Sequence, residues 1–195
     1  MTVRQQRTRV PEARIRTSVL RILARNELCS ISTVTRGNRA HINTAFFAFS
    51  TDLELYFLSD PGSLHCRNLS RNSSMAMTVF DSFQEWEASG RGLQMFGVCH
   101  RTRGDAERRA TRVYGSRFPA YTRSMKERTE AERKRVDRLR SYALYRFLPN
   151  RVKVLDEKEF GGAVFVIAAV DRRRPRKSSG VRSRFVWRST EHLIP

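Results

Sequence analysis

The sequence predicts a mainly β, α+β fold, a small antiparallel β-barrel with flanking helices. Short segments rich in β-branched and aromatic residues recur along the chain, about seven in all, each closed by a turn signal. Most consecutive segments are joined by turns too short for a parallel crossover, which makes their pairing antiparallel. Segments of helical periodicity lie between them. At 195 residues and 39% hydrophobic content, the chain has the length of one domain with a real core.

The elements follow in order. After Pro11, which suits a first helical turn, Ile15, Val19, Ile22 and Leu23 recur at helical spacing and predict an amphipathic helix over 12–26. LCSISTVT (28–35) and AHINTAFFAFS (40–50) are strands joined by RGNR, a hairpin signal. Thr51-Asp52 turns the chain into LELYFLS (53–59), which completes a three-stranded meander. LSDPGSLHCRNLSRN (58–72) holds a Pro-Gly turn and then a short helix over 63–71. SMAMTVFD (74–81) is a strand, and SFQEWEASG a loop. RGLQMFGVCHRT (91–102) is a strand in which Gly97 marks a bulge or a close backbone approach. Asp105 reads as the N-cap of a helix that Pro119 interrupts. Residues 123–140 have high helix propensity and few apolar positions, the pattern of a solvated helix laced with i,i+4 pairs. YALYRFLPNRVKVLD (142–156) and AVFVIAAV (163–170) are strands separated by the turn EKEFGG. The remainder has a disorder-like composition, with one further strand at FVWRST (185–190).

The net charge of +19 is localised. Residues 1–16 carry +4, residues 101–140 carry +8 and residues 171–189 carry +7, which leaves the rest of the chain neutral. The chain therefore divides into a basic N-terminal arm (1–13), a barrel domain (14–170) that includes the charged helical stretch 104–140, and a basic C-terminal segment (171–195). Arginine-rich surfaces of this kind raise solubility. The tail RRRPRKSSGVRSR also has the charge for nonspecific nucleic-acid contact through phosphates, although nothing resembles a helix-turn-helix or an aromatic RNA platform. No apolar run reaches the roughly 18 residues of a membrane helix, and residues 1–16 lack the apolar centre of a secretory signal. Cys29, Cys66 and Cys99 have no CxxC spacing and read as free thiols, so a cytoplasmic protein is expected.

Chemistry concentrates in LSDPGSLHCRNLSRN. A strand ending at Ser59, a Pro-Gly turn and a helix opening at Ser63 aim unpaired backbone N–H groups one way, and the helix dipole adds partial positive charge. The hydroxyls of Ser59 and Ser63, with His65, Arg67 and Asn68, form a candidate phosphate cradle. The same residues also describe an ordinary strand-to-helix connection capped by Ser63, and the local sequence leaves both open. Elsewhere, neighbours on a strand point to opposite faces, so Cys99 and His100 share neither a metal nor a nucleophilic dyad. No zinc-ligand spacing, Ser-His-Asp arrangement or carboxylate pair is present. Buried thiols and surface histidines are expected, with His41 satisfied by a polar neighbour or facing a cofactor groove, and Phe46, Phe47 and Trp86 in a core or an interface.

The order GNRAHINTAFFAF, LELYFLSDPGSLHCRNLSRN, MAMTVFD and RGLQMFGVC, followed by YGSRFPAY and YRFLPNRVKVLD, resembles the pyridoxamine 5'-phosphate oxidase-like family of split β-barrel flavoproteins. The likeness spans residues 14–168 and rests on order and spacing rather than on one motif. It implies an FMN-binding split barrel that pairs as a homodimer, with FMN in the groove between two barrels. By this resemblance Asn43, Thr44, Ala45 and Phe46 run along the flavin ring, and Leu58 and Ser59 approach the ribityl-phosphate. Ser63, Leu64 and His65 stand where the family has a Ser-Arg-Lys phosphate grip, with Arg67 and Asn68 beside them, and Gln94 passes near the ring. The implied activity is a flavin-dependent oxidoreductase acting on a small organic substrate, with no residue assigned as acid or base. F420 and haem are alternative cofactors within the fold. A non-enzymatic basic module with a decayed site is the alternative of another class.

The chain departs from the family at Leu64 and His65 in the triplet, and at Asn43 and Ala48, where the oxidases have basic residues. Each missing charge-assisted hydrogen bond is worth roughly 1.5–3 kcal/mol. Ser63, the helix N-terminus and an arginine (Arg67, Arg39 or one from a partner chain) must then carry a phosphate, and a bound phosphate would raise the His65 pKa. The residues that recognise pyridoxamine phosphate are not recognisable, so a different substrate is expected.

Overall fold

One long strand organises the molecule. The computed structural model describes residues 2–6, 9–85, 87–126, 136–137, 139–173 and 182–194. Its strands are β1 (Thr2–Gln6), β2 (Leu28–Val34), β3 (Ala40–Phe49), β4 (Leu55–Ser59), β5 (Ser74–Phe80), β6 (Arg91–Arg101), β7 (Ala143–Asp156), β8 (Val164–Arg173) and β9 (Arg182–Ile194). Its helices are α1 (Glu12–Arg25), α2 (Leu64–Arg71), α3 (Asp105–Arg117), α4 (Pro119–Ser124) and α5 (Glu157–Phe160).

The strands pair in the order β1-β9-β8-β7-β4-β3-β2-β5-β6, and β6 pairs back onto β7, which closes six of them into a barrel. β7 serves both parts of the sheet. Its residues 143–147 pair with β4, its residues 151–155 pair with β8, and β6 lies along nearly its whole length. Every pairing is antiparallel. The register of β6 on β7 shifts between Phe96 and Gly97. A Cβ on Gly97 would stand 2.2 Å from the Leu148 carbonyl oxygen and 2.7 Å from the Pro149 Cα, so the two backbones meet only because this residue has no side chain.

Helices α1 and α3 each cover a flank of the barrel. α1 buries Ile15, Val19, Ile22 and Leu23, the positions its 3.6-residue period predicts, in the main core with Phe47, Phe57 and Phe147. Its polar edge is tied down at Asp156, a fully buried carboxylate. That group accepts hydrogen bonds from Ser18 Oγ at 2.7 Å, Arg21 at 2.6 Å and Arg91 at 3.2 Å. Burial alone would raise the Asp156 pKa, but the bonds from Arg21 and Ser18 outweigh it and hold the carboxyl below its ordinary value. α3 covers another flank, where Ala110 and Tyr114 pack on Ala48, Tyr56 and Leu144. Arg117, at its C-terminal end, lies 4.8 Å from the rings of both Phe47 and Phe49 and donates to the carbonyls of Leu23 and Asn26.

Several local expectations change. The residue before α3 is Gly104 at φ 57°, so Asp105 is the first helical residue rather than the cap. EKEFGG opens with the single turn α5. The final strand is longer than its composition suggests and runs from Arg182 to Ile194, and Thr2–Gln6 pairs with its far end. Most of the charged stretch 123–140, and Trp86, lie outside the described residues. No helix among the described residues is long and apolar enough to cross a membrane.

Candidate functional site

The alternation of β2 and β3 sorts their side chains between two faces. Cys29, Ile31 and Thr33 point into the barrel, while Leu28, Ser30 and Ser32 face outward with Ile42, Thr44 and Phe46 of β3. The register continues this outer face through Ala76 and Thr78 of β5 to Phe96 and Gln94 of β6. The result is a shallow groove of about 300 Å³, lined by Ser32, Ile42, Ala76, Thr78, Gln94 and Phe96 among others. Among the described residues, no ionisable side chain lines it. Ile42 is 70% exposed and Phe46 52% exposed, with Leu28, Phe80 and Val98 also exposed. Phe46 meets the Phe118 ring edge-on at 5.7 Å. Apolar walls with a few hydroxyl and amide groups suit a flat heteroaromatic ring.

The turn before α2 closes on itself. Ser63 Oγ donates to the Asp60 carbonyl at 2.7 Å, and the Gly62 N–H donates to Asp60 Oδ1 at 2.8 Å. His65 Nε2 lies 2.7 Å from Ser59 Oγ and 3.2 Å from Ser63 Oγ. The His65 residue is only 6% exposed, and its ring stacks nearly parallel to His41 at 6.3 Å. Burial pushes the His65 pKa below its ordinary value, with the Asp60 charge opposing the shift, so the imidazole is neutral at neutral pH. Arg67 donates to the Gly62 carbonyl at 2.9 Å from an exposed position. Asn68 is turned inward and donates to Thr33 Oγ1 at 3.0 Å.

The residues expected at the cofactor site therefore separate into groups. Ser59, Ser63, His65 and Arg67 meet at the turn. Thr44, Phe46 and Gln94 lie on the groove face. Asn43 donates to the Thr44 carbonyl at 3.1 Å, Ala45 is half-buried in the β3 pattern, and Leu58 packs beside the α3 cluster. Leu64 is 42% exposed, and Ala48 is buried beneath α3. The expectation of surface histidines fails at His65, because Ser59 and Ser63 draw its ring inward. The three thiols are free and buried, with burial raising Cys29 to about 12 and Cys99 upward as well. Cys99 is buried and His100 exposed, on opposite sides of β6. The sequence reading missed Ser30, Ser32, Ala76, Thr78 and Phe96 in the groove. Their signal was the alternation in LCSIST, SMAMTVF and RGLQMF, legible once the strand register is known.

A flavin makes two separate demands here. The groove meets the needs of its ring. The turn does not match a dianionic phosphate, because its hydroxyls and imidazole bond one another, Arg67 is its one cation among the described residues, and the Asp60 carboxylate stands beside it.

Residues 15–154 match the family model described as pyridoxamine 5'-phosphate oxidase. The chain belongs to this family. Solved structures share the split-barrel fold. A pyridoxamine 5'-phosphate oxidase-related, FMN binding protein from Nostoc punctiforme is 14% identical, with a TM-score of 0.53 over 96% of this chain and 99% of that one. The heme storage protein HutZ of Vibrio cholerae is 17% identical, with a TM-score of 0.52 over 68% of this chain and 88% of that one. A heme binding protein from Mycobacterium smegmatis is 14% identical, with a TM-score of 0.57 over 75% of this chain. The match covers 55% of that protein, so this family member spans little more than half its length. At these identities the likeness establishes the fold alone. Comparison with curated proteins finds no sequence match.

Proposed function

We propose that this family member is a flavin-dependent oxidoreductase that seats the flavin ring on the outer face of β3-β2-β5-β6, between two copies of the chain. The observation that carries the reading is the uncharged groove bordered by exposed Leu28, Ile42, Phe46, Phe80 and Val98. So many large apolar side chains on one face mark a surface that a partner covers, and a second copy of the same face is the simplest cover. The fold is shared with an FMN binding protein from Nostoc punctiforme, which agrees with a flavin as the ring.

The flavin, when bound, supplies hydride or electron transfer to a small organic substrate. Ile42, Phe96 and Ala76 would exclude water from one face of the ring. Gln94 and Thr78 would meet its polar edge with an amide and a hydroxyl. Phosphate contacts would add little at the turn, so affinity would rest on the ring. A cytoplasmic setting, consistent with three free buried thiols, belongs to the same reading.

The absorbance spectrum of the purified protein, followed by titration with FMN, riboflavin and F420, tests this. Flavin bands in the purified protein, or saturable flavin binding, support it. A colourless protein that gains no flavin signal overturns it, and salt-sensitive retention on DNA in that case would favour the non-enzymatic basic module. Haem is a second reading, favoured by His41, which is half-buried, stacked on His65 and without a side-chain hydrogen bond to any described residue. A Soret band on haem addition that disappears in His41→Ala would select it.

A further inference from the structure

Cationic side chains gather on another flank of α2. A cavity of about 370 Å³ opens between α2 and the ends of β6 and β7, with Cys66, Leu69, His100, Arg101, Arg103 and Tyr145 in its wall. Among the described residues, no carboxylate lines it. Neither Arg101 nor Arg103 makes an ion pair or a side-chain hydrogen bond with a described residue. Two guanidinium groups two residues apart, neither paired with a described residue, repel each other, and a multiply charged anion between them relieves that repulsion.

The backbone that carries them is pinned. Thr102, between the two arginines, is buried and donates both its N–H and its hydroxyl to the Leu144 carbonyl, each at 2.8 Å. Arg101 stands in register opposite Tyr145. Burial and a hydrogen bond with Cys66 push the Tyr145 phenol upward against the pull of Arg101, so it remains protonated. The wall thus combines guanidinium donors on a fixed strand end with an apolar side formed by Pro61, Leu69 and the Tyr145 ring. The turn on the same helix has the opposite balance, with Asp60 beside a neutral His65.

We propose that this cavity binds a compact phosphate-type dianion carried on a small organic group, with the phosphate at Arg101 and Arg103 and the organic part against Leu69 and Tyr145. A monocarboxylate would neutralise only one of the two guanidinium charges, whereas a phosphate dianion neutralises both. The cavity exceeds the volume of a bare phosphate, and its apolar side favours the organic carrier over the free ion.

Calorimetric titration of the full chain with phenyl phosphate and with inorganic phosphate, at one fixed ionic strength, tests the proposal. Phenyl phosphate should bind saturably and more tightly than inorganic phosphate. The Arg101→Gln/Arg103→Gln protein should lose about tenfold or more of that affinity, while Arg67→Gln at the turn should bind as the parent does. Both arginines are exposed, so the double variant should keep the parent's unfolding midpoint. Absence of saturable binding, equal affinity for both ligands, or loss in Arg67→Gln with retention in the double variant would each overturn it. None of these results depends on flavin binding, so the test is separate from that of the oxidoreductase reading.

Discussion

The Ser59 hydroxyl and His65 Nε2 lie 2.7 Å apart and close the turn before α2 from within. That contact takes the imidazole out of water and leaves the turn without a second cation.

It also predicts a pH dependence. The His65 pKa is lowered from 6.5 by burial, so the unfolded chain takes up a proton that the folded ring refuses. The stability contributed by the neutral ring is fully present above pH 6.5 and is lost as pH falls from there toward the lower folded value. Asp156 and Glu157 are held below 3.8 and 4.5, so their effects fall at more acid pH. Urea unfolding between about pH 7.5 and pH 5 should show a stability decline in the parent that is shallower in His65→Gln. Parallel declines in the two proteins would remove His65 as the source.

Asp156→Ala should destabilise the fold by about 3 kcal/mol, at the low end for breaking a buried pair, because Arg21 and Arg91 are partly exposed and can rehydrate. The loss should appear as a lower urea midpoint with an unchanged slope. The helix it tethers, α1, carries much of the core, so a change below about 1 kcal/mol would mean that apolar packing alone holds α1 in place.

Gly97→Ala should be worse than its single methyl suggests. The added carbon would collide with the Leu148 carbonyl and the Pro149 Cα, both backbone atoms that cannot rotate away. We expect a cost of about 3 kcal/mol or more, or failure to fold. Gly37→Ala, with open space around the Cβ position, serves as the control and should stay close to the parent.

Much of this architecture was legible in the sequence. Pro11 and the spacing of Ile15, Val19, Ile22 and Leu23 place α1 within a residue, and the glycine that ends RGLQMFG, Gly97, marks the point where β6 meets β7. β9 was only partly legible because its sequence is polar on one side. Ser183, Phe185 and Thr190 are buried, but their partners on β8 and β1 are set by tertiary pairing rather than by local pattern. At the site, the Pro-Gly turn and the helix after it could be read, whereas the inward turn of His65 could not. Helical spacing puts His65 on α2, but the Ser59 hydroxyl at the end of another element fixes where its ring goes. The burial of Ala48 by α3 is likewise a contact between distant segments, invisible to periodicity.

Ile42→Arg should leave the fold intact, because the native side chain is 70% exposed, while placing a charge in the uncharged groove. If this face joins two copies of the chain, the substitution should cost about 2 kcal/mol or more of dimer affinity. Light scattering behind size exclusion should find a dimer for the parent and a monomer for the variant at the same concentration. A monomeric parent would contradict the shared-groove reading.

Riboflavin fluorescence titration of the parent and of Ile42→Arg, side by side with FMN, tests whether the flavin ring sits on the β3-β2-β5-β6 face. The parent should show saturable quenching with little advantage for FMN over riboflavin, and the variant should lose about tenfold or more in affinity. No saturable binding of either flavin to the parent, or binding undiminished by Ile42→Arg, would contradict it.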